Sequence, residues 1–287
     1  MVYPAVNELQ ALREDVVMPH NLLLTAVVLM ASLMPSFLCA ADYEIGDKFS
    51  NELKSGGKGP AMVVIPSGRF TLGGGSPGQH NLGTIKIEYR LAFGATEVTL
   101  GQYRQFLKSI RSARLDKLPK GNDELPVSGV SWDEAESYVT WLSRETGNHY
   151  RLPSASEWEY AARAGTSVMY FWGDEIGENK ANCLNCGAGF DGALAPAGSF
   201  APNAWGLFDM HGNVWEWAKD CIDSNSAPPV NGMPKLFGNC DMRELRGGSA
   251  SSDGWSIRAG ARASALRSTK NPDVGFRVVM EIPRDRD

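Results

Sequence analysis

The chain holds five cysteines, and their spacing limits what they can do. Cys183-Leu-Asn-Cys186 has the separation of half a zinc site or of a redox dithiol. No second Cys-x-x-Cys or His pair completes a zinc set, and no βαβ pattern surrounds the motif. Two readings stay open: a tight local bridge, or a reduced pair. Cys221 and Cys240 flank a Pro/Gly-rich tract and are expected to join as a structural disulfide across it. His211, within Asp-Met-His-Gly-Asn, stands where a catalytic base could sit, but its loop-building neighbours favour a structural role. Spacing alone supports no Ser/His/Asp triad. Gly73-Gly-Gly75 lacks the following Lys-Ser/Thr and helix of a phosphate loop, so it reads as a turn.

The elements that must position these residues are unevenly distributed. Met62-Val-Val-Ile-Pro-Ser-Gly reads as a strand entering a turn. Leu100 to Ile110 carries Tyr103, Phe106 and Leu107 on one helical face. Ser131-Trp-Asp-Glu134 is a capping-box pattern. It opens a helix with Ala135, Tyr138 and Leu142 on one side and Gly147 at its end. Ser154-Ala-Ser-Glu157 repeats the device, for a helix through Arg163 that stops at Gly165. Arg151 and Arg163 flank this helix and are expected to pair with Glu157 or Glu159. Beyond Gly165 long periodicity disappears, and Gly, Asn, Asp, Pro and Trp dominate. Such a region holds its shape when loops pack on large aromatics, with disulfides or cations replacing ladder hydrogen bonds. Trp205, Trp215 and Trp217 could line a groove, though a core role is favoured.

A net charge of −5 over 287 residues gives no basic footprint for nucleic acid. Residues 1–41 read as a leader and signal peptide, with Met18 a possible true start. The apolar run Leu22 to Met34 is too short for a membrane span, so no span is expected after cleavage near Ala40 or Ala41. An exported chain, periplasmic or secreted, is the expected setting. Residues 42–60 read as a polar lead-in and 61–283 as one domain; nothing bears on oligomeric state.

Four tracts carry a resemblance. They are Tyr150-Arg-Leu-Pro-Ser-Ala-Ser-Glu-Trp-Glu-Tyr-Ala-Ala-Arg-Ala-Gly165, Gly206-Leu-Phe-Asp-Met-His-Gly-Asn-Val-Trp-Glu-Trp217, Arg246-Gly-Gly-Ser249 and Gly275-Phe-Arg-Val278. In this order they resemble the formylglycine-generating enzyme (sulfatase-modifying factor) family. Glu97-Val-Thr-Leu-Gly-Gln-Tyr103 and Pro126-Val-Ser-Gly-Val-Ser-Trp132 look like its earlier landmarks. The resemblance implies an irregular, loop-rich α+β fold of the C-type-lectin-like kind, low in regular secondary structure. It also implies structural Ca²⁺ in two groups. One would use Asn182 and Asp191 with the carbonyls of Cys183 and Ala193. The other would use Asp209 and Glu216 with the carbonyls of Gly212 and Val214. Several convergent oxygens suit a hard cation. The bland alternative is that Asp209 and Glu216 cap turns or pair with an arginine such as Arg246.

Active family members hold copper(I) between two cysteines shortly after Arg-Gly-Gly-Ser. Counting forward from Ser249, the first falls on Ser252; counting back from Gly260-Ala-Arg262, the second falls near Gly254, and this chain has no cysteine after Cys240. A hydroxyl is a poor ligand for a soft ion. Copper is therefore not expected, nor is formylglycine formation. Ser252, Asp253, Ser256 and Arg262 are expected to surround the vacated position as a polar pocket. The resulting expectation is a calcium-stabilised module that binds a peptide or protein. The alternative is a divergent oxidoreductase acting on a peptide-derived substrate.

Overall fold

Met62–Ile65 is apolar at all four positions, which in a strand requires cover on both faces. The computed structural model describes residues 43–74, 81–223 and 226–283, and in it both faces are covered. Strands β1 (Lys48–Phe49), β2 (Met62–Ile65), β3 (Gly68–Thr71), β4 (Thr84–Ile87) and β5 (Leu91–Gly94) precede helix α1 (Leu100–Ser109). A 3-10 turn at Ala113–Lys117 leads to α2 (Trp132–Thr146), β6 (Tyr150–Arg151) and α3 (Ala155–Arg163). Strands β7 (Trp215–Ile222), β8 (Asn239–Arg246), β9 (Ala263–Leu266), β10 (Val274–Gly275) and β11 (Val279–Glu281) complete the chain. One antiparallel sheet runs β1-β2-β5-β11-β6, a second runs β10-β7-β8-β9, and β3 pairs with β4. Because side chains alternate, Met62 and Val64 enter the core under α1 and α2, whereas Val63 and Ile65 enter the one beside α3.

The helices form where the local signals place them. Thr99, Ser131 and Ser154 each close a capping box, with Gln102, Glu134 and Glu157 at the third position. Tyr103, Phe106, Tyr138, Trp141 and Phe276 interlock as one aromatic cluster between α1 and α2. α3 is buried all round, so its charged residues must be paired. Glu157 takes Arg151 bidentately at 2.7 Å on each oxygen, and Glu159 takes Arg163 at 2.8 Å, as expected from the sequence.

Between Arg163 and Trp215 no helix or strand forms, in keeping with the lost periodicity. The architecture is the α+β, loop-rich one expected. One boundary differs. Residues 42–60 were expected as an exposed lead-in, yet β1 pairs with β2, Leu53 is buried and Tyr43 packs on Phe49. The polar composition hid a two-residue edge strand, too short to show alternation. Residues 1–41, expected as a leader, and Gly75 lie outside the described residues, and none of the described helices is long and apolar enough to cross a membrane.

Candidate functional site

The loop that leaves β8 is built from Arg246-Gly-Gly-Ser249. Gly248 has φ +75°, and a Cβ there would stand 2.5 Å from the Ile257 side chain, so only glycine lets the loop close on itself. Ser249 Oγ donates to Asp273 Oδ2 at 3.0 Å. Ser252 Oγ accepts the Ser249 amide at 3.0 Å and lies 3.1 Å from the Ser249 hydroxyl. Asp253 Oδ1 accepts the Ser256 amide at 2.8 Å. Hydrogen bonds from the Ser256 hydroxyl and amide hold the Asp253 carboxyl below its ordinary range. The loop is fastened to its neighbour by Leu184 N–H to the Ser252 carbonyl and Tyr170 O–H to the Gly254 carbonyl. That neighbour is stapled by a Cys183–Cys186 disulfide, which settles the open reading of this pair. Cys221 and Cys240 are joined, as expected.

The outer surface of this loop is unusual. Trp255 is 55% exposed, with the Arg258 guanidinium 3.2 Å above its ring centroid, and Leu184 beside Ser252 is 49% exposed. An exposed aromatic with a cation on its face is a contact surface suited to peptide side chains. Arg262 is placed elsewhere. Its guanidinium grips Glu244 of β8 through Nε and Nη2 at 2.7 and 2.6 Å, whereas Ser252, Asp253 and Ser256 bond within the loop. The expected four-residue pocket is therefore a three-residue turn plus a sheet-face ion pair.

His211 is structural. It is buried, Nδ1 donates to the Ile257 carbonyl at 2.7 Å, and Nε2 accepts the Phe171 amide at 3.3 Å. Burial pushes its pKa down to about 4, so it stays neutral with both nitrogens engaged. Trp217 is buried and bonds the Val130 carbonyl, and Trp205 packs edge-on against Tyr160. Trp217 lies in the core, and Trp215 and Trp205 pack against it and its neighbouring cluster, which is the core role favoured from the sequence.

The proposed calcium ligands fall into two clusters. Asn182, Cys183 and Asp191 line one cavity of about 510 Å³, and Ala193 accepts the Asn182 amide at 2.9 Å, so the first group is brought together. In the second, Asp209, Gly212 and Asn213 all adopt positive φ, which turns the chain sharply before Glu216. Glu216 is committed to Arg277, with contacts of 2.7 to 2.9 Å, and to Trp158 Nε1 at 2.7 Å. The arginine expected as an alternative partner was Arg246; the structure supplies Arg277 instead. Around this clamp lies a carboxylate that the sequence reading passed over. Glu97 is buried, accepts Asn213 Nδ2 at 2.9 Å through Oε1, and leaves Oε2 without an N–H donor. Asp209 Oδ1 likewise has no N–H donor, and its carboxyl hydrogen-bonds with that of Glu97. Burial, and for Glu97 also the neighbouring Asp209 charge, raise both carboxyls above their ordinary range.

Three buried carboxyls thus face one guanidinium, and two of their oxygens, on Glu97 and Asp209, lack an N–H donor. Such a donor set suits a proton or a hard cation. As the side chains stand, no three His, Cys, Asp or Glu residues among the described residues converge as a metal site. Cation binding in the second group would have to draw Glu216 partly away from Arg277. The only sequence signals for these partners were an acid amid apolar residues, Ala95-Thr-Glu-Val98, and the arginine of Gly275-Phe-Arg-Val278.

Residues 49–282 match the sequence profile described as "Sulfatase-modifying factor enzyme 1-like domain". A "Formylglycine-generating enzyme" of Streptomyces coelicolor is 36% identical over 174 residues, 55% of this chain and 53% of its own. An "Inactive C-alpha-formylglycine-generating enzyme 2" of Mus musculus is 33% identical over 179 residues, 57% of this chain and 52% of its own. The chain spans about half the length of these curated relatives. The solved structure of PvdO from Pseudomonas aeruginosa superposes with TM-score 0.72 at 28% identity, covering 84% of this chain and 100% of that one.

Proposed function

This chain belongs to the sulfatase-modifying factor family, and we propose that within it the protein is an exported, calcium-stabilised module that binds a peptide or protein without generating formylglycine. The observation that carries this reading is the loop after Ser249. Its Ser252 hydroxyl is tied into a turn, no cysteine follows Cys240, and the exposed Trp255–Arg258 stack offers a surface to side chains, with Leu184 also exposed. Copper does not fit these residues, and no step is assigned to it. Identity does not discriminate here, because a relative named as an enzyme and one named inactive lie at 36% and 33%.

Calcium fits the oxygen donors better. Asn182 and Asp191 with nearby carbonyls would hold one ion, and Asp209, beside Glu97 and with Glu216, a second. Bound there, the ion would neutralise buried carboxylates and fix loops that have no ladder of their own. At calcium about 100 times its dissociation constant the gain is ~2.7 kcal/mol.

The test combines metal analysis of the purified chain with titration of a Cys-x-Pro-x-Arg peptide by calorimetry. The expected result is calcium without copper, a chelator-sensitive melting temperature, and peptide binding weakened several-fold by Trp255→Ala. A melting curve indifferent to chelator and calcium would end the calcium part, and binding unaffected by Trp255→Ala would end the assignment of this surface. The similarity to named enzymes sustains a second reading, a divergent oxidoreductase acting on a peptide-derived substrate. Stoichiometric iron or copper in the purified protein would favour it.

A further inference from the structure

The face of the second sheet carries a chamber that neither the loop chemistry nor the calcium ligands use. Its floor is Asp220 on β7, Glu244 and Arg246 on β8, and Arg262 with Ser264 at β9. The register explains the convergence. Glu244 stands opposite Ser264, and Glu244 and Arg246 project from one face because they are two residues apart. The first turn of α3 forms a wall, and the volume is about 510 Å³, enough for a small organic ligand.

Two features of this chamber are unsatisfied, and they have opposite sign. Arg246 is fully buried, yet only its Nη2 has hydrogen-bond partners, in Glu159 and the Ala259 carbonyl. Nε and Nη1 have no hydrogen-bond partner, the nearest carboxylate oxygen to Nη1 being that of Glu244 at 3.5 Å. Arg163, Glu159, Arg246, Glu244 and Arg262 form an alternating chain, three guanidiniums against two carboxylates, so one positive charge is left over. Asp220 is the other feature. It is 4% exposed and accepts only the amides of Ala155 and Lys235, at 2.9 and 3.0 Å. The Lys235 ammonium is turned to the carbonyls of Asp223 and Ser226 instead. Burial, with Glu244 of β8 and Glu157 of α3 nearby, pushes the Asp220 carboxyl up to about 7. A buried carboxyl that no cation hydrogen-bonds, with Arg262 and Arg243 acting on it only through space, and a buried guanidinium with open donors each carry a cost.

We propose that this chamber is a ligand site for a small zwitterion of the free α-amino acid type. Its carboxylate takes the open Nε and Nη1 donors of Arg246, its ammonium pairs with Asp220, and its side chain rests on apolar lining such as Leu72, Ala155 and Ile222. A carboxylate matches a guanidinium edge, whereas a phosphate would bring excess negative charge beside Asp220 and Glu244. The proposal is independent of the peptide-binding reading, which concerns the Ser252–Ser256 loop.

The experiment is calorimetric titration of the whole mature chain with L-leucine, alongside N-acetyl-L-leucine and L-leucinamide, which block one charge each. Leucine is expected to bind, and both blocked forms at least tenfold more weakly. Affinity should fall as pH drops below 7, where Asp220 becomes neutral. Asp220→Asn should abolish binding; because it also disturbs two amide partners, Ser264→Trp, at an exposed position lining the chamber, supplies a second arm and should block entry while leaving the melting temperature near wild type. Equal binding of all three ligands, no binding of leucine, or full binding by folded Ser264→Trp would overturn the assignment.

Discussion

Arg277→Met tests whether one guanidinium holds the buried carboxylates of the candidate site together. Arg277 is fully buried, grips both oxygens of Glu216, bonds the carbonyls of Gly94 and Phe208, and lowers the cost of ionising Glu97 and Asp209. Methionine keeps the apolar stem but removes the charge. Breaking a buried pair by deleting one partner costs roughly 3–5 kcal/mol, because the remaining charge is left uncompensated. For a domain of this size, 1 kcal/mol moves the melting temperature by about 2–4 °C, so the expected fall is roughly 6–20 °C. The sign with pH follows from the raised carboxyls. A carboxyl raised in the folded state stabilises fully below its unfolded value, and that contribution is lost as pH climbs through the folded one. Removing Arg277 raises Glu97 and Asp209 further, so the deficit of the variant should be large at pH ~8 and shrink at pH ~5. The assay is thermal unfolding by circular dichroism at both pH values, without added calcium. A fall under ~2 °C that is equal at both would refute the idea that these carboxylates depend on Arg277.

Gly212→Ala places a Cβ 2.2 Å from the Asn182 carbonyl oxygen at φ +87°; a loss of roughly 3 kcal/mol is expected in urea unfolding, and a midpoint within error of wild type would contradict it. Replacing Cys221 and Cys240 together by serine opens a loop with a sequence separation of 19 and should cost about 3 kcal/mol relative to the oxidised wild type on the chain-entropy model, a difference that should largely vanish against reduced wild type. Asp220, raised to about 7, stabilises fully below pH ~4 and loses that contribution as pH rises to 7. Wild-type stability should therefore decline across that window by on the order of 3 kcal/mol from this group, and Asp220→Asn should flatten the decline; parallel pH profiles would refute the assignment.

The legible parts of this molecule were those fixed by local rules. Ser131-x-x-Glu134 and Ser154-x-x-Glu157 close the capping boxes their spacing implies, and Gly147 takes the left-handed cap at φ +77°. The fold class followed from the motif order and the failing periodicity beyond Gly165. The second-site partners were less legible because they meet across long separations. Glu97 lies 116 positions from Asn213, and Arg277 lies 61 from Glu216. Arg262 shows the same limit. Counting along the chain set it beside Ser252, but β8–β9 pairing carries it to Glu244. The chamber around Asp220 left no local signal at all, since strand register and the start of α3 create it.

The most direct test of the central reading is mass spectrometry of a Cys-x-Pro-x-Arg peptide incubated with the protein, copper(I) and oxygen, with peptide binding measured in parallel. The expected result is bound peptide with its thiol mass unchanged, because Ser252 and its neighbours cannot replace a cysteine pair. Conversion of the cysteine to the aldehyde mass, abolished when the protein is omitted, would contradict it.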